Sequence, residues 1–188
     1  MVMRRVVLMA ILALALPIAA FANSIAVTNI GGTISQNGSG GLTLSGSTII
    51  HFGNTVGSNL GTLSFSIDGP LATGDLQNGG TFSPGGTFTI AISGGPTYTG
   101  TFSSATWIMQ TDASGNHQYT LQATITGSNF SAFTFQVGLT QKGFFSGSTE
   151  VGSGDTVITT VPEPGTLGML GTGLVGIAGL VRRRIKLG

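Results

Sequence analysis

The side chains with the widest chemical range in this 188-residue chain are two histidines and a few carboxylates. A catalytic metal or a nucleophile–base pair needs such groups at matched spacing. His51 lies in an apolar segment between Ile50 and Phe52, and His117 follows a loop, so neither has a second ligand at metal-binding spacing. No G-x-S-x-G sequence marks a serine nucleophile. We therefore predict no catalytic residue, no metal site and no cofactor, and expect that the protein is not an enzyme.

The acidic residues of segment 23–160 mostly stand beside glycines in turn-like sequences. Glycoside hydrolysis needs two carboxyl groups that face each other across a cleft, whereas turn chemistry accounts for these acids without one. Residues 112–116 alternate polar side chains like the start of an EF-hand calcium loop. The match fails because His117 and Ala123 occupy the positions of the required Gly and the terminal acid.

Charge is scarce and unevenly placed along the chain. Only 7% of the residues are charged, and segment 23–160 has one lysine, Lys142, against five acids, which gives it a net charge of −4. An acidic segment without arginine cannot neutralise phosphates, so we exclude nucleic acid as a partner. The absence of cysteine excludes disulfide frameworks and thiolate metal sites.

The N-terminus has the features of a secretory signal peptide. Two arginines precede an apolar run over residues 6–18, and Ala20 and Ala22 follow it. Signal peptidase recognises a basic segment, a short apolar segment and a small-x-small site in this order. The run is short for a retained membrane anchor. We therefore expect residues 1–22 to be a helical signal peptide that is cleaved to leave Asn23 as the mature N-terminus.

The C-terminus combines three elements in a fixed order. Pro162, Glu163 and Pro164 precede an uncharged run of 17 residues over 165–181, and a basic cluster follows over 182–186. Seventeen helical residues reach about 26 Å, close to the hydrocarbon thickness of about 30 Å. The run is therefore a predicted transmembrane helix whose basic end stays cytoplasmic. The arginines of this stop-transfer cluster are Arg182, Arg183 and Arg184.

This C-terminal pattern resembles the PEP-CTERM sorting domain, which is also labelled the C-terminal domain of ice-binding proteins. The resemblance covers only residues 161–186. It implies that an exosortase, a membrane transpeptidase, recognises the triplet at 162–164. It also implies a precursor anchored in the inner membrane and a product at the cell surface or outside the cell. An ordinary C-terminal membrane anchor is the alternative, but it gives the triplet no role.

Segment 23–160 alternates apolar and polar residues with period two, which is typical of strands with one buried and one wet face. Turn-forming sequences rich in Gly, Asn and Pro separate these stretches. The clearest apolar rows are Leu63-Phe65-Ile67, Phe88-Ile90-Ile92, Tyr119-Leu121-Ala123-Ile125 and Phe133-Phe135-Val137-Leu139. Shorter candidates lie at residues 25–27, 42–44 and 49–52.

These strands predict an all-β fold, an antiparallel β-sandwich of roughly eight to ten strands. The signal-peptide helix and the transmembrane helix flank it. The clearest hairpin joins residues 106–110 to residues 117–121. The chain is thus divided into a signal peptide (1–22), an exported domain (23–160) and a sorting segment (161–188).

Two functional classes follow for the exported domain. The first is a structural protein of the cell surface or extracellular matrix, associated with exopolysaccharide or biofilm. The second is a carbohydrate-binding or adhesive module, for which Tyr98, Trp107 and Tyr119 are the only Trp and Tyr residues available. Expected partners are signal peptidase, the exosortase, the inner membrane before processing, and polysaccharide. The threonines at 87–101 also suggest ice binding as a less favoured function, but they follow no constant repeat.

Overall fold

A computed structural model describes residues 23–160. The described part is all-β, as predicted, and contains no helix that is long and apolar enough to cross a membrane. The predicted signal peptide (1–22), transmembrane helix (165–181) and basic cluster (182–186) lie outside the described residues.

The described residues form twelve strands. Four of them, β2, β5, β6 and β11, have five residues or fewer and carry no alternating apolar row, so the count exceeds the predicted eight to ten. The strands are β1 (Asn23–Ile30), β2 (Thr33–Gln36), β3 (Leu42–Phe52), β4 (Thr55–Ser66), β5 (Leu71–Asp75), β6 (Gly79–Phe82), β7 (Gly85–Ile92), β8 (Thr97–Thr111), β9 (Asn116–Gly127), β10 (Phe130–Gly138), β11 (Gln141–Lys142) and β12 (Ser148–Thr160).

All twelve strands belong to one sheet, so the predicted division into two packed sheets is not confirmed. The neighbours run β9-β10-β12-β1-β3-β4-β7-β8, and β8 pairs again with β9, which closes the circuit. Long strands make this closure possible because one edge can serve two partners. The 15-residue β8 pairs with β7 near Gly100 and with β6 near Trp107, while its other edge pairs with β9 from Gly100 to Thr111.

The hairpin predicted from residues 106–110 and 117–121 is confirmed, since β8 and β9 pair antiparallel from Gly100–Gly127 to Thr111–His117. The two candidates at 42–44 and 49–52 form one strand, β3, with an irregularity between Leu44 and Ser47. Gly46 has a φ of 73° at this point. The left-handed conformation suits glycine, and the extra residue keeps the inward alternation on both sides of the bulge.

The core lies on the inner side of this closed sheet. Burying apolar side chains there supplies the main favourable free energy of folding. Phe65, Phe88 and Phe102 pack edge to face, with centroids 5.7 Å apart for Phe65–Phe102 and 6.0 Å for Phe88–Phe102. The other large, fully buried apolar side chains are Ile34, Leu42, Leu44, Ile49, Leu63, Ile67, Ile90, Trp107, Tyr119, Leu121, Ile125 and Ile158.

Strand β10 is inverted relative to its sequence pattern. The alternation would direct the row of Phe133, Phe135, Val137 and Leu139 into the core, but Phe133 is 49% exposed and Leu139 48% exposed. The polar residues between them point inward instead, and Gln136 is completely buried. The apolar prediction for this strand is therefore wrong. Its neighbours supply hydrogen-bond partners for the inward polar groups, which removes the usual penalty for burying them.

Candidate functional site

The predicted site residues of both chain ends lie outside the described residues. They are Ala20 and Ala22 of the signal peptidase site, Pro162, Glu163 and Pro164 of the sorting motif, and Arg182, Arg183 and Arg184 of the stop-transfer cluster. The structure does describe the positions next to them. Thr160, two residues before the triplet, donates a hydrogen bond of 3.1 Å from its Oγ1 to the carbonyl oxygen of Asn23.

The first and last strands of the described chain are neighbours in the sheet. Thr28 Oγ1 donates to Asp155 Oδ1 at 2.8 Å, and with the Thr160–Asn23 contact this shows that β1 and β12 run antiparallel. The residue expected to be the mature N-terminus and the residue that leads into the sorting segment therefore lie side by side.

Outward side chains of β10, together with Leu139 directly after the strand, form an apolar row, defined here as Phe133, Phe135, Val137 and Leu139 and called the β10 apolar row. On β9, Phe133 is paired with Thr124 and Phe135 with Gln122. These hydroxyl and amide side chains border the row on one side.

Strand β12 borders the other side of the β10 apolar row. The hydroxyls of Thr134 and Thr156 are 2.8 Å apart inside the sheet. In an antiparallel pair with this register, Phe133 lies beside Val157 on the outer face, and Val157 is also exposed. Asp155, which accepts the hydrogen bond from Thr28, follows in the next outward position.

A buried polar network lies beneath this row. Asn29 Nδ2 donates to Gln136 Oε1 at 2.8 Å, and Gln136 Nε2 donates back to Asn29 Oδ1 at 3.0 Å. Ser47 and Thr134 extend the network, because Asn29 also donates to Ser47 Oγ and Gln136 also donates to Thr134 Oγ1. Because every amide group of this pair is satisfied, the network fixes β10 with its polar face inward.

Gly154 on β12 makes room for this network. A Cβ placed on Gly154 would overlap the side-chain amide of Gln136. Any larger residue would have to displace the amides of Asn29 and Gln136. The buried network therefore requires glycine at this position.

The three Trp and Tyr side chains that might have formed a sugar-binding face have other positions. Trp107 and Tyr119 are buried, with ring centroids 5.3 Å apart in a stacked arrangement. Trp107 Nε1 donates to the carbonyl of Leu76, and Tyr119 OH donates to that of Gln77 at 2.7 Å. Both rings thus anchor the loop after β5, while Tyr98 is half-buried. The exposed aromatic rings are phenylalanines instead.

The two histidines have different neighbours and do not form one site. His51 on β3 is paired with Thr28 on β1 and with Val56 on β4. His117 stacks on Phe144 with centroids 4.5 Å apart, and its Nδ1 lies 3.0 Å from Thr111 Oγ1. Within the described residues, no group of three His, Asp, Glu or Cys side chains is placed to hold a metal ion.

Two of the acidic side chains are used by their own turns. Asp112 Oδ1 accepts the backbone N–H groups of Ser114 and Asn116, and Asp112 Oδ2 accepts the side-chain amide of Asn116 at 2.9 Å. These bonds, chiefly the one from the Asn116 side chain, hold the pKa of Asp112 below its ordinary value. Asn78 lowers the pKa of Asp75 in the same way.

Neither of two surface cavities lined by described residues brings two carboxyl groups together. A cavity of about 470 Å³ has Asp112 among amide and hydroxyl side chains such as Gln110 and Gln118. A cavity of about 510 Å³ has Asp75 beside Leu71 and Leu76. The carboxyl of each acid is already bound by its own turn.

Hydroxyl side chains cover much of the outer face of β4, β7 and β8. Ser64 is paired with Thr89, and Thr89 with Thr99, so that one row crosses three strands. Ser66 is similarly paired with Thr87. This surface carries hydroxyl groups in place of charges.

Residues 160–184 match the family model described as the PEP-CTERM protein-sorting motif. The match confirms the resemblance predicted for the C-terminal segment, and the chain carries a sorting motif of exosortase-processed, exported proteins. Export passes through a membrane-anchored precursor to the cell surface. No curated protein and no solved structure matches the chain.

Proposed function

We propose that this protein is a structural component of the bacterial cell surface or extracellular matrix, associated with exopolysaccharide. The observation that carries the proposal is the PEP-CTERM motif at residues 160–184. The closed all-β domain supports it, because its core contains no charged side chain and its outer surface presents many hydroxyl groups. The domain acts by binding and packing, and needs neither a catalytic centre nor a cofactor.

The proposed route to the surface uses both chain ends. Signal peptidase cleaves after Ala22, and the apolar run at 165–181 holds the precursor in the inner membrane. Pro162 and Pro164 keep the triplet extended, because proline fixes φ and lacks an N–H for a helix. Glu163 resists entry into lipid, and the arginines at 182–184 resist passage through it. The triplet is thereby held at the membrane surface within reach of the exosortase.

Replacement of Glu163 tests the sorting role directly. In Glu163→Ala, we expect unprocessed precursor in the inner-membrane fraction and little product at the cell surface or in the medium. Immunoblots of these fractions make the comparison, with wild type and an exosortase-deficient strain as references. Glu150→Ala, at an exposed glutamate of β12, is the matched control and should be processed normally. Normal processing of Glu163→Ala would contradict the role of the triplet.

A further inference from the structure

The β10 apolar row is exposed in spite of the hydrophobic effect. A register slip of one residue would turn this row into the core and would turn Thr134 and Gln136 to solvent. The reciprocal bonds between Asn29 and Gln136 prevent that slip. A buried polar network therefore stabilises the orientation in which β10 presents two neighbouring phenylalanine rings to solvent. Exposed apolar side chains that lie together on a surface indicate a binding site.

The size of the patch indicates what kind of partner it fits. Half-exposed Phe133, Leu139 and Val157, with the partly exposed Phe135, leave an apolar area on the order of 300–400 Å². A stable interface with a second protein copy buries about 800 Å² of total surface on each partner, of which about 450 Å² is apolar. The patch is smaller than that, and its shape, a row along β10 with Val157 of β12 at its side, suits an extended polymer chain.

The borders of the patch indicate the chemistry of that polymer. Thr124 and Gln122 on one side, and Asp155 on the other, offer hydroxyl, amide and carboxylate groups next to the rings. Sugar rings present apolar C–H faces, which pack on aromatic faces, and hydroxyl groups, which bond to such borders. The sole basic side chain between residues 23 and 160 is Lys142, so a polyanionic chain would meet net repulsion.

We propose that the outer face of β10, centred on Phe133 and Phe135, binds a neutral polysaccharide chain. The inference rests on the proposed function for its choice of ligand, because an exopolysaccharide layer supplies such chains. It deepens that proposal by naming the contact surface and by separating neutral from acidic polymers.

Affinity electrophoresis of the purified full chain in mild detergent tests the binding without requiring export. Hydroxyethylcellulose is the neutral probe and alginate the acidic one. We expect wild type to be retarded by hydroxyethylcellulose and not by alginate. Phe133→Ala and Phe135→Ala should each raise the dissociation constant about tenfold, the loss expected for a stacked ring. Phe144→Ala is the matched control, since Phe144 is 50% exposed outside the row, and it should bind like wild type.

Two outcomes would overturn the proposal. One is wild-type protein that migrates equally with and without hydroxyethylcellulose, or that prefers alginate. The other is Phe133-dependent self-association in analytical ultracentrifugation without glycan binding, which would assign the face to a second copy.

Thr124→Ala provides a variant that removes a border hydroxyl and leaves the rings intact, and it should weaken binding about threefold. These results are independent of the blots that test sorting, so either proposal can fail alone.

Discussion

Gln136 illustrates at the residue scale how a polar side chain determines the orientation of a strand. Its amide is fully buried and bonds to Asn29 in both directions, with a further bond to Thr134. A buried amide that loses its partner keeps the full desolvation penalty. The orientation of β10, and with it the exposure of Phe133, depends on this pair.

Removal of one amide of this pair should destabilise the protein. We expect Gln136→Leu to lower the free energy of unfolding by about 1–3 kcal/mol, because Asn29 is left unsatisfied. Urea denaturation followed by fluorescence provides the measurement. Gln110→Leu, at an exposed position, is the control and should have little effect.

The double variant Asn29→Leu with Gln136→Leu refines this test. It removes both partners, so its loss should be smaller than the sum of the two single losses. Strictly additive losses, or a Gln136→Leu protein as stable as the Gln110→Leu protein, would show that the amide pair does not hold β10 in place.

At the scale of elements, the Tyr119 side chain of the β8–β9 hairpin joins two loops that are distant from it in the chain. Tyr119 OH donates to the carbonyl of Gln77 at 2.7 Å and accepts the backbone N–H of Phe145 at 2.9 Å. Gln77 and Phe145, which are 42 and 26 positions from Tyr119 in the chain, therefore bond to the same hydroxyl. The loops after β5 and β11 are held against the sheet at this point.

Tyr119→Phe should loosen both loops and leave the sheet intact. We expect a loss of about 1–3 kcal/mol in the free energy of unfolding, because a part-buried carbonyl and a buried N–H lose their partner. Hydrogen exchange at the Phe145 amide should become faster. Tyr98→Phe is the control, since Tyr98 is half-buried and packs on Phe52 and Phe130 instead. Unchanged exchange at Phe145 would contradict the anchoring role.

The strands that could be predicted from the sequence are those with a long apolar row. The rows at 88–92 and 119–125 lie in β7 and β9, and the row at 63–67 begins in β4 and ends one residue after it. All their apolar side chains are buried except Ile92, which is partly buried. Short strands such as β2 and β6 were not predicted, because four residues are too few to show an alternating pattern. Their strand conformation depends on pairing with neighbouring strands, which the pattern of a single segment does not encode. The inversion of β10 escaped for the same reason, since the partner of Gln136 is 107 residues away in the chain.

The C-terminal sorting motif was predictable from the sequence and the proposed binding face was not, for a related physical reason. The triplet, the apolar run and the basic cluster at 162–186 follow one another along the chain, so the pattern is visible in the sequence itself. The face around Phe133 is assembled from β9, β10, β12 and β1. Trp107 and Tyr119, the residue types expected at a sugar site, serve the core instead.

At the scale of the whole molecule, the described residues 23–160 stand between a predicted signal peptide and the sorting motif matched at residues 160–184. Its terminal strands β1 and β12 are neighbours, and Asn23 and Thr160 are hydrogen-bonded. Removal of both segments therefore leaves the ends of the domain paired within the sheet. We propose that the cell delivers this domain to its surface after cleavage at both ends.

Intact mass spectrometry of the protein recovered from the cell surface and the medium tests this claim most directly. We predict a product that begins at Asn23 and lacks the apolar run at 165–181 and the basic cluster at 182–186. In an exosortase-deficient strain, the same N-terminus should occur with residues 165–188 still attached, in the inner-membrane fraction. Surface protein that retains residues 165–188, or that begins at Met1, would contradict the account.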